Sequence, residues 1–203
     1  MTTTKVDFKR ELRSLYTASK TPALVEVPEL QYLMVDGHGD PNGSQGFRDA
    51  VGALYALSYG ARFVLKRTAA LDYRVMPLEG LWSAPEMPPF PSENTLAWDW
   101  TLMIMQPEQV TPEVVAQAMR DAAHKKLPAL DRVRLERLAE GRAAQIMHHG
   151  AYSNEGPTIA ALHAFIADCG LEPVGRHHEI YLSDPRRAAP ESMRTILRQP
   201  VRS

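Results

Sequence analysis

Gln31-Tyr-Leu-Met-Val-Asp-Gly-His-Gly39 is a mostly apolar segment that ends in glycine and precedes a long helical pattern. The segment Arg142-Ala-Ala-Gln-Ile-Met-His-His-Gly150 has the same plan and also precedes a helical pattern. Each helical pattern is followed by a further strand, Glu79-Gly-Leu-Trp-Ser83 in one half and Glu179-Ile-Tyr-Leu-Ser183 in the other. We therefore expect one plan used twice, with a ligand cleft between the two halves.

The two halves predict the fold class. Pseudo-repeats span about residues 23–107 and 132–201, and each contains a strand, a helix and a pair of strands. Because helices must cover one face of such an antiparallel sheet, we predict an α+β fold built from a duplicated β-α-β-β module. It has two antiparallel sheet halves, helices packed on one face and a ligand cleft between the halves. Residues 1–22 are predicted as a polar N-terminal leader, and residues 23–203 as a single domain.

The individual elements follow from hydrophobic periodicity and turn residues. Apolar positions recurring at three and four predict helices at 44–66, at 111–125 and between Glu155 and Gly170. Residues 84–91 contain four prolines and are predicted as a stiff irregular connection. Strands are predicted at 24–27, 31–38, 73–82, 98–106, 132–138, 142–149, 177–182 and 193–199.

Composition excludes several classes of protein. The net charge of −1 gives no basic face for nucleic acid, and no run of about 18 apolar residues predicts a membrane span. The N-terminus is charged where a signal peptide needs an apolar run, so we expect a cytoplasmic protein. Cys169 is the single cysteine, which excludes an intrachain disulfide. An open antiparallel edge could pair two chains, so a monomer and a homodimer both remain open.

Glu179 is the candidate functional carboxylate. Strand alternation places Glu179 and Tyr181 on one face and Ile180 and Leu182 on the other. We expect the Ile180 and Leu182 face to meet the helices, which leaves Glu179 on the open face between the halves. A carboxylate beside aromatic walls is desolvated, and its pKa rises toward the range of a general base. The alternative is a solvent-facing polar edge of the sheet.

Aromatic residues supply candidate walls for the cleft. Trp98 and Trp100 share a strand face, Tyr55 and Tyr59 are one helical turn apart, and Trp82 lies in the strand that carries Glu79. Ligand sites favour such walls together with a few placed polar groups. Core packing is the alternative interpretation of the same residues.

Other polar residues are given no chemical role. Glu79 matches the place of Glu179, but the turn-forming residues around it favour a relic of the duplication. His148-His149 and His177-His178 suggest a metal, yet neighbours in a strand point to opposite faces, so each pair offers one ligand at most. Since no spacing resembles a known zinc site, neither a metal nor a cofactor is expected.

Four segments resemble the GyrI-like (gyrase-inhibitor-like) small-molecule-binding domains, from about residue 20 onward. The resemblance is to stand-alone members, which lack a DNA-binding helix-turn-helix. It implies a duplicated strand-helix-strand-strand module with a ligand cleft between the halves. The segments are Phe47-Arg-Asp-Ala-Val-Gly-Ala-Leu-Tyr-Ala-Leu-Ser-Tyr59, Trp98-Asp-Trp100, His149-Gly-Ala-Tyr152 and His178-Glu-Ile-Tyr-Leu-Ser-Asp-Pro185.

The resemblance implies two functions for one cleft. In multidrug-sensing regulators the equivalent domain binds hydrophobic, often cationic compounds against aromatic walls, with a buried glutamate as anchor, and Glu179 matches that glutamate. Some stand-alone members hydrolyse the cyclopropane of DNA-alkylating natural products, a detoxification in which Glu179 would activate the water. A protein-binding modulator of the gyrase-inhibitor type, without catalysis, is the alternative. The candidate ligand-binding residues are Tyr55, Tyr59, Trp82, Trp98, Trp100, Tyr152 and Tyr181.

Overall fold

The computed structural model describes residues 3–41, 43–83, 98–184 and 186–203. The proline-rich connection predicted at 84–91 lies outside these ranges. The described helices are α1 (Phe8–Glu11), α2 (Arg13–Tyr16), α3 (Gln45–Thr68), α4 (Pro112–Ala122) and α5 (Gly156–Asp168). The described strands are β1 (Thr4–Val6), β2 (Ala23–Val27), β3 (Leu30–His38), β4 (Leu71–Tyr73), β5 (Leu78–Ser83), β6 (Asp99–Gln106), β7 (Arg134–Leu138), β8 (Gly141–His149), β9 (Glu172–Pro173), β10 (His177–Tyr181) and β11 (Arg194–Arg202).

The main sheet is antiparallel and joins the two halves at its centre. Its strand order is β2-β8-β11-β10-β5-β6-β3-β7, and β9 pairs with β11 off this path. Strands β3, β5 and β6 of the first half lie on one side of the β5–β10 junction, and β8, β10 and β11 of the second half on the other. The strands that open the halves are exchanged, because β2 pairs with β8 and β7 pairs with β3. The predicted α+β fold with a duplicated module is confirmed.

Helices α3 and α5 cover the same face of this sheet. Residues that oppose each other in an antiparallel pair share a face, so Glu179 on β10 lies on the same face as Leu197 on β11 and Gly80 on β5. Leu197 packs in a cluster with Leu162 of α5. Trp82, two residues after Gly80, stacks against Phe47 of α3. This helix-bearing face is called the front of the sheet below.

The predicted orientation of Glu179 relative to the helices was wrong. Glu179 and Tyr181 lie on the front, between the two helices, whereas Ile180 lies on the opposite face, the back. Alternation separates two faces but does not say which one the helices cover. Here both faces are buried, since the N-terminal segment covers the back, and the hydrophobic pattern therefore could not distinguish them.

The N-terminal segment, predicted as a polar leader, packs against the rest of the chain. Strand β1 pairs in parallel with β4, and Leu15 and Tyr16 of α2 are buried in the core. Gln145 on β8 donates a hydrogen bond to the Ser14 carbonyl, and Arg198 on β11 donates one to the Leu15 carbonyl. These bonds anchor α2 on the back of the sheet.

The strand predicted at 73–82 is divided in two. β4 ends at Tyr73 and β5 begins at Leu78, on either side of Pro77. Proline lacks the N–H that a sheet requires, which accounts for the interruption. In the parts of the chain that the structure describes, no helix combines the length and the apolar character needed to cross a bilayer.

Candidate functional site

The candidate site lies on the front of the sheet, at the β5–β10 junction. Tyr181 donates a hydrogen bond of 2.8 Å from its hydroxyl to Glu179 Oε2. Trp82 Nε1 donates one of 3.1 Å to the Tyr181 hydroxyl. Glu179 is only 8% exposed. The indole, the phenol and the carboxylate therefore form one hydrogen-bonded chain that fixes the orientation of Glu179.

Gly80 makes room for this chain. A Cβ atom at Gly80 would lie 2.9 Å from Trp82 Nε1 and 3.0 Å from the Tyr181 hydroxyl oxygen. Both distances are too short for a side chain unless the two rings move. A glycine at this position allows Trp82 and Tyr181 to meet across the floor of the site.

Aromatic rings from both halves surround Glu179. Trp82 lies edge-on to Trp98, with ring centroids 5.5 Å apart, and stacks with Phe47 at 6.3 Å. On the other side, Tyr152 lies edge-on to Tyr181, with centroids 5.5 Å apart. The structure thus brings together four of the predicted aromatic residues with Glu179. We call Trp82, Trp98, Tyr152, Tyr181 and Glu179 the central cluster.

The other predicted aromatic residues lie at different depths. Tyr55 and Tyr59 stack on α3 with ring centroids 6.4 Å apart, and Tyr59 is 46% exposed. Burial raises the pKa of Tyr55, which fits a position at the edge of the site. Trp100 is buried in the core, where its ring lies directly over Gly37 and edge-on to Phe47. Trp100 therefore packs beside Trp82, which it opposes in the β5–β6 pair.

Glu155, at the start of α5, is a second buried carboxyl group that the sequence analysis did not select. It is 5% exposed, and its Oε1 has no hydrogen-bond partner. Burial raises the pKa of Glu155 to about 9, and the charge of Glu179 adds to the effect. An acidic residue at a helix N-terminus is common for reasons of capping and dipole, so the sequence carried no signal that this one is buried.

The two carboxyl groups have different proton affinities. Burial raises the pKa of Glu179 to about 7, although the Tyr181 hydrogen bond and the nearby His178 counteract the rise. Since the two groups interact, they titrate as a pair. Of the two groups, Glu155 keeps its proton to the higher pH, and Glu179 is the first to become negatively charged as the pH rises. Such a pair can hold a cation or act as a general acid and base.

Glu79, the predicted twin of Glu179, belongs to a different site. It opposes Ile180 in the β5–β10 pair and therefore lies on the back of the sheet. Its carboxylate accepts a 2.7 Å hydrogen bond from Tyr16 and lies 2.9 Å from His178 Nε2. Glu79 is fully buried and hydrogen-bonded there, so it contributes no group to the candidate site on the front.

The histidine pairs divide between the two faces as strand alternation predicts. His177 lies on the front, with Nε2 3.7 Å from Glu179 Oε1, and burial lowers its pKa to about 3, which leaves it neutral. His148 is hydrogen-bonded to Thr158 of α5. Among the residues that the structure describes, no three or more His, Cys, Asp or Glu side chains are grouped to hold a metal ion.

A separate surface depression lies at the edge of the sheet. It has a volume of about 320 Å³ and is lined by residues that include Lys20, His149 and Thr158. None of the predicted site residues contributes to it.

Comparisons with known proteins show which chains this one is similar to. The family model of the GyrI-like small molecule binding domain matches residues 20–202. A crystal structure of an uncharacterized conserved protein from Listeria innocua is 40% identical, with a TM-score of 0.88, over 97% of this chain and 100% of that chain. A crystal structure described as a hydrolase from Listeria innocua is 39% identical, with a TM-score of 0.84 and the same coverage.

A more distant structure shares the fold. The EcmrR C-terminal domain is 11% identical, with a TM-score of 0.57, over 90% of this chain and 98% of that domain. Among functionally curated proteins, none matches the chain significantly.

Proposed function

Because the chain belongs to the GyrI-like family of small-molecule-binding domains, we propose that its central cluster forms a cleft for hydrophobic aromatic or cationic compounds. The observation that carries the proposal is Glu179, a buried carboxylate hydrogen-bonded to Tyr181 and surrounded by aromatic rings. An aromatic cation packs against the faces of Trp and Tyr rings, and a desolvated carboxylate adds a favourable charge interaction. The burial of Glu179 favours a small ligand over the flat surface that a protein-binding modulator needs.

The binding proposal is tested with tetraphenylphosphonium, an aromatic cation, followed through tryptophan fluorescence at pH 8. We expect Glu179→Gln to weaken binding by about tenfold or more, because a buried charge partner is lost. Glu26→Gln is the matched control, since Glu26 is an exposed carboxylate on β2 and should not affect binding. Equal affinity of wild type and Glu179→Gln would remove Glu179 from the site.

We propose further that the cleft hydrolyses cyclopropanoid compounds. The supporting observation is the second carboxyl group, because Glu155 and Glu179 have pKa values of about 9 and about 7 and so divide acid and base roles between them. A structure 39% identical to this chain is described as a hydrolase. A family role against DNA-alkylating compounds in the cytoplasm would make this reaction a detoxification.

In the proposed reaction the substrate is a cyclopropane conjugated to a dienone. Glu179 accepts a proton from water as the water oxygen bonds to a cyclopropane carbon. The cyclopropane C–C bond breaks, and its electron pair passes into the conjugated ring. The ring oxygen takes a proton from the Glu155 carboxyl group. Trp82 and Tyr152 hold the flat ring system, and the aromatic surroundings exclude other water.

The hydrolysis proposal is tested by incubating the protein with such an alkylator and measuring the mass of the product. We expect addition of one water with wild type, and loss of turnover by Glu179→Gln with most affinity for the uncharged substrate retained. Glu26→Gln should turn over like wild type. Turnover by Glu179→Gln at the wild-type rate would contradict the assigned role of the base.

A further inference from the structure

The back of the sheet contains a buried ionic cluster directly behind the candidate site. His178 Nδ1 lies 2.9 Å from Glu140, and Nε2 lies 2.9 Å from Glu79. Arg198 Nη1 donates a 3.1 Å hydrogen bond to the other oxygen of Glu140, and Tyr16 donates to Glu79. We call these five residues the back cluster. None of them has a part in the reaction proposed above.

The geometry fixes the charge of His178. A carboxylate accepts hydrogen bonds and cannot donate them, so each ring nitrogen of His178 must carry a proton. The neighbouring carboxylates raise the pKa of His178 to about 8 against the opposing effect of burial, and they keep the ring an imidazolium at neutral pH. The ring is fully buried. Water therefore screens its positive charge poorly, and its electrostatic interactions with nearby groups are strong.

His178 is the residue next to Glu179 in the chain. The two residues are consecutive on β10, and their side chains leave opposite faces of the strand. On the front, Glu179 lies beside His177, which is neutral, Glu155, which holds a proton near neutral pH, and the hydroxyl of Tyr181. The His178 imidazolium acts on Glu179 from the back of the strand and counteracts the rise in the pKa of Glu179 that burial causes.

We propose that His178 is a positioning residue of the cleft, which is held as an imidazolium by Glu79 and Glu140 on the back of the sheet and keeps Glu179 ionised on the front. The inference rests on the proposed function for its consequence, because an ionised Glu179 is what binds a cation or activates water. Burial alone would favour a neutral Glu179. The back cluster thus allows a dry cleft to contain a charged carboxylate near neutral pH.

The groups facing His178 from each neighbouring element balance its charge. They are Glu79 on β5, Glu140 before β8, Arg198 on β11 and Tyr16 on α2. Two carboxylates and two cations give a neutral cluster. The electrostatic effect of the cluster on Glu179 therefore depends on the distance of each charge from Glu179. His178 is the member of the cluster that is adjacent to Glu179 in the chain.

The test measures the ionisation of Glu179 without any ligand. The protein is labelled with carboxyl-¹³C glutamate, and the Glu179 signal is assigned by its loss in Glu179→Gln. We expect His178→Gln to move the titration midpoint of Glu179 upward by about one pH unit, because a nearby cation is removed. His148→Gln, which changes a buried histidine paired with Thr158, should leave the midpoint in place. An unchanged midpoint in folded His178→Gln overturns the proposal.

A second measurement covers the case in which His178→Gln does not fold. In wild type, the ¹⁵N shifts of His178 should show both ring nitrogens protonated at pH 7, and a neutral ring at that pH also overturns the proposal. The consequence for function is tested separately with tetraphenylphosphonium, whose affinity for His178→Gln should fall at pH 7 and recover at pH 9. If wild type binds no such cation, the proposed function fails, whereas the ¹³C midpoints still decide the role of His178.

Discussion

Consecutive residues at the β5–β10 junction serve two different sites. Gly80 and Glu179 face the front, where Gly80 leaves space for the Trp82–Tyr181 contact and Glu179 accepts the hydrogen bond from Tyr181. Glu79 and His178 face the back and form a buried ion pair. A single register of two strands therefore places the buried Glu179 carboxylate and a buried ion pair on opposite sides of one sheet.

Gly80→Ala tests the floor of the cleft. The added methyl group must displace Trp82 or Tyr181, so we expect the affinity for tetraphenylphosphonium to fall by about tenfold, while far-UV circular dichroism stays unchanged. Gly52→Ala is the matched control, because nothing lies within 4 Å of its added Cβ on α3. That change should stabilise the helix by about 0.5–1 kcal/mol and leave binding intact. Full affinity in Gly80→Ala would contradict the arrangement described for the floor.

Glu155→Gln tests the cost of burying the second carboxyl group. The pKa of Glu155 is raised from 4.5 to about 9, so its protonated form stabilises the fold below pH 4.5, and this stability is lost as the pH rises toward 9. We expect Glu155→Gln to raise the free energy of unfolding by roughly 2 kcal/mol at pH 9 and by little at pH 4. Urea unfolding at both pH values measures this difference. Glu26→Gln should show no such pH dependence. A lower free energy of unfolding for Glu155→Gln than for wild type at pH 9 would contradict the assigned cost of burial.

At the level of elements, α2 closes the back of the sheet. Its Tyr16 hydroxyl donates to Glu79, and its Ser14 and Leu15 carbonyls accept from Gln145 and Arg198. Each of these bonds satisfies a buried polar group that would otherwise be costly. The N-terminal segment is therefore part of what keeps the back cluster dry.

Tyr16→Phe tests the contribution of this segment. The change removes the hydroxyl but keeps the ring, and it leaves Glu79 with one hydrogen-bond partner fewer. We expect the free energy of unfolding to fall by about 1–3 kcal/mol, as measured by urea unfolding at pH 6. Tyr59→Phe, at an exposed position on α3, should change it by less than about 0.5 kcal/mol. Equal stability of the two variants would show that the Tyr16–Glu79 bond contributes nothing net.

The sequence predicts the elements of this chain better than the faces they present. Periodicity and caps correctly indicated α3, with the Ser44 side chain accepting from the Phe47 N–H, as well as the plan of paired halves. The strand predicted at 73–82 differs from the structure because Pro77 interrupts it. The leader predicted at 1–22 differs because long-range contacts decide it: β1 pairs with β4, and α2 packs on the back of the sheet. Local patterns carry no record of such contacts.

Part of the candidate site was also predictable from the sequence. Glu179, Trp82, Trp98, Tyr152 and Tyr181 come together, and the alternation on β10 predicted which side chains share a face. Glu155 was missed because its position resembles an ordinary helix start. The pairing of Glu79 was not predicted because its partners, Tyr16 and His178, are far away in the sequence.

At the scale of the whole molecule, the two halves share one sheet, and its buried charges set the pH range of stability. His178 has its pKa raised from 6.5 to about 8, so its stabilising effect is complete below pH 6.5 and is lost as the pH rises through 8. Glu140 has its pKa lowered from 4.5 to about 2, so its effect is complete above pH 4.5 and is lost as the pH falls through 2. Both contributions are complete between about pH 4.5 and 6.5.

The pH profile of unfolding tests this balance. Glu179 and Glu155 also lose stabilisation as the pH rises above 4.5, so we expect the wild-type free energy of unfolding to fall by roughly 2 kcal/mol or more between pH 6 and pH 9. Urea unfolding at half-unit intervals measures the profile. In the double variant Glu155→Gln/Glu179→Gln, the free energy of unfolding should still decline over this pH range because of His178. The part of the decline that is due to the two glutamates should be absent. A wild-type stability that rises over this range would contradict the assigned charges.

The most direct measurement of the central claim is a crystal structure of the protein soaked with tetraphenylphosphonium. We expect the cation over the β5–β10 junction, within about 6 Å of the Trp82 and Tyr152 rings and with its positive centre near Glu179. Crystals of Glu179→Gln, soaked in the same way, should show lower occupancy at that place. Full occupancy of the cation elsewhere on the protein, with the central cluster empty, would contradict the account.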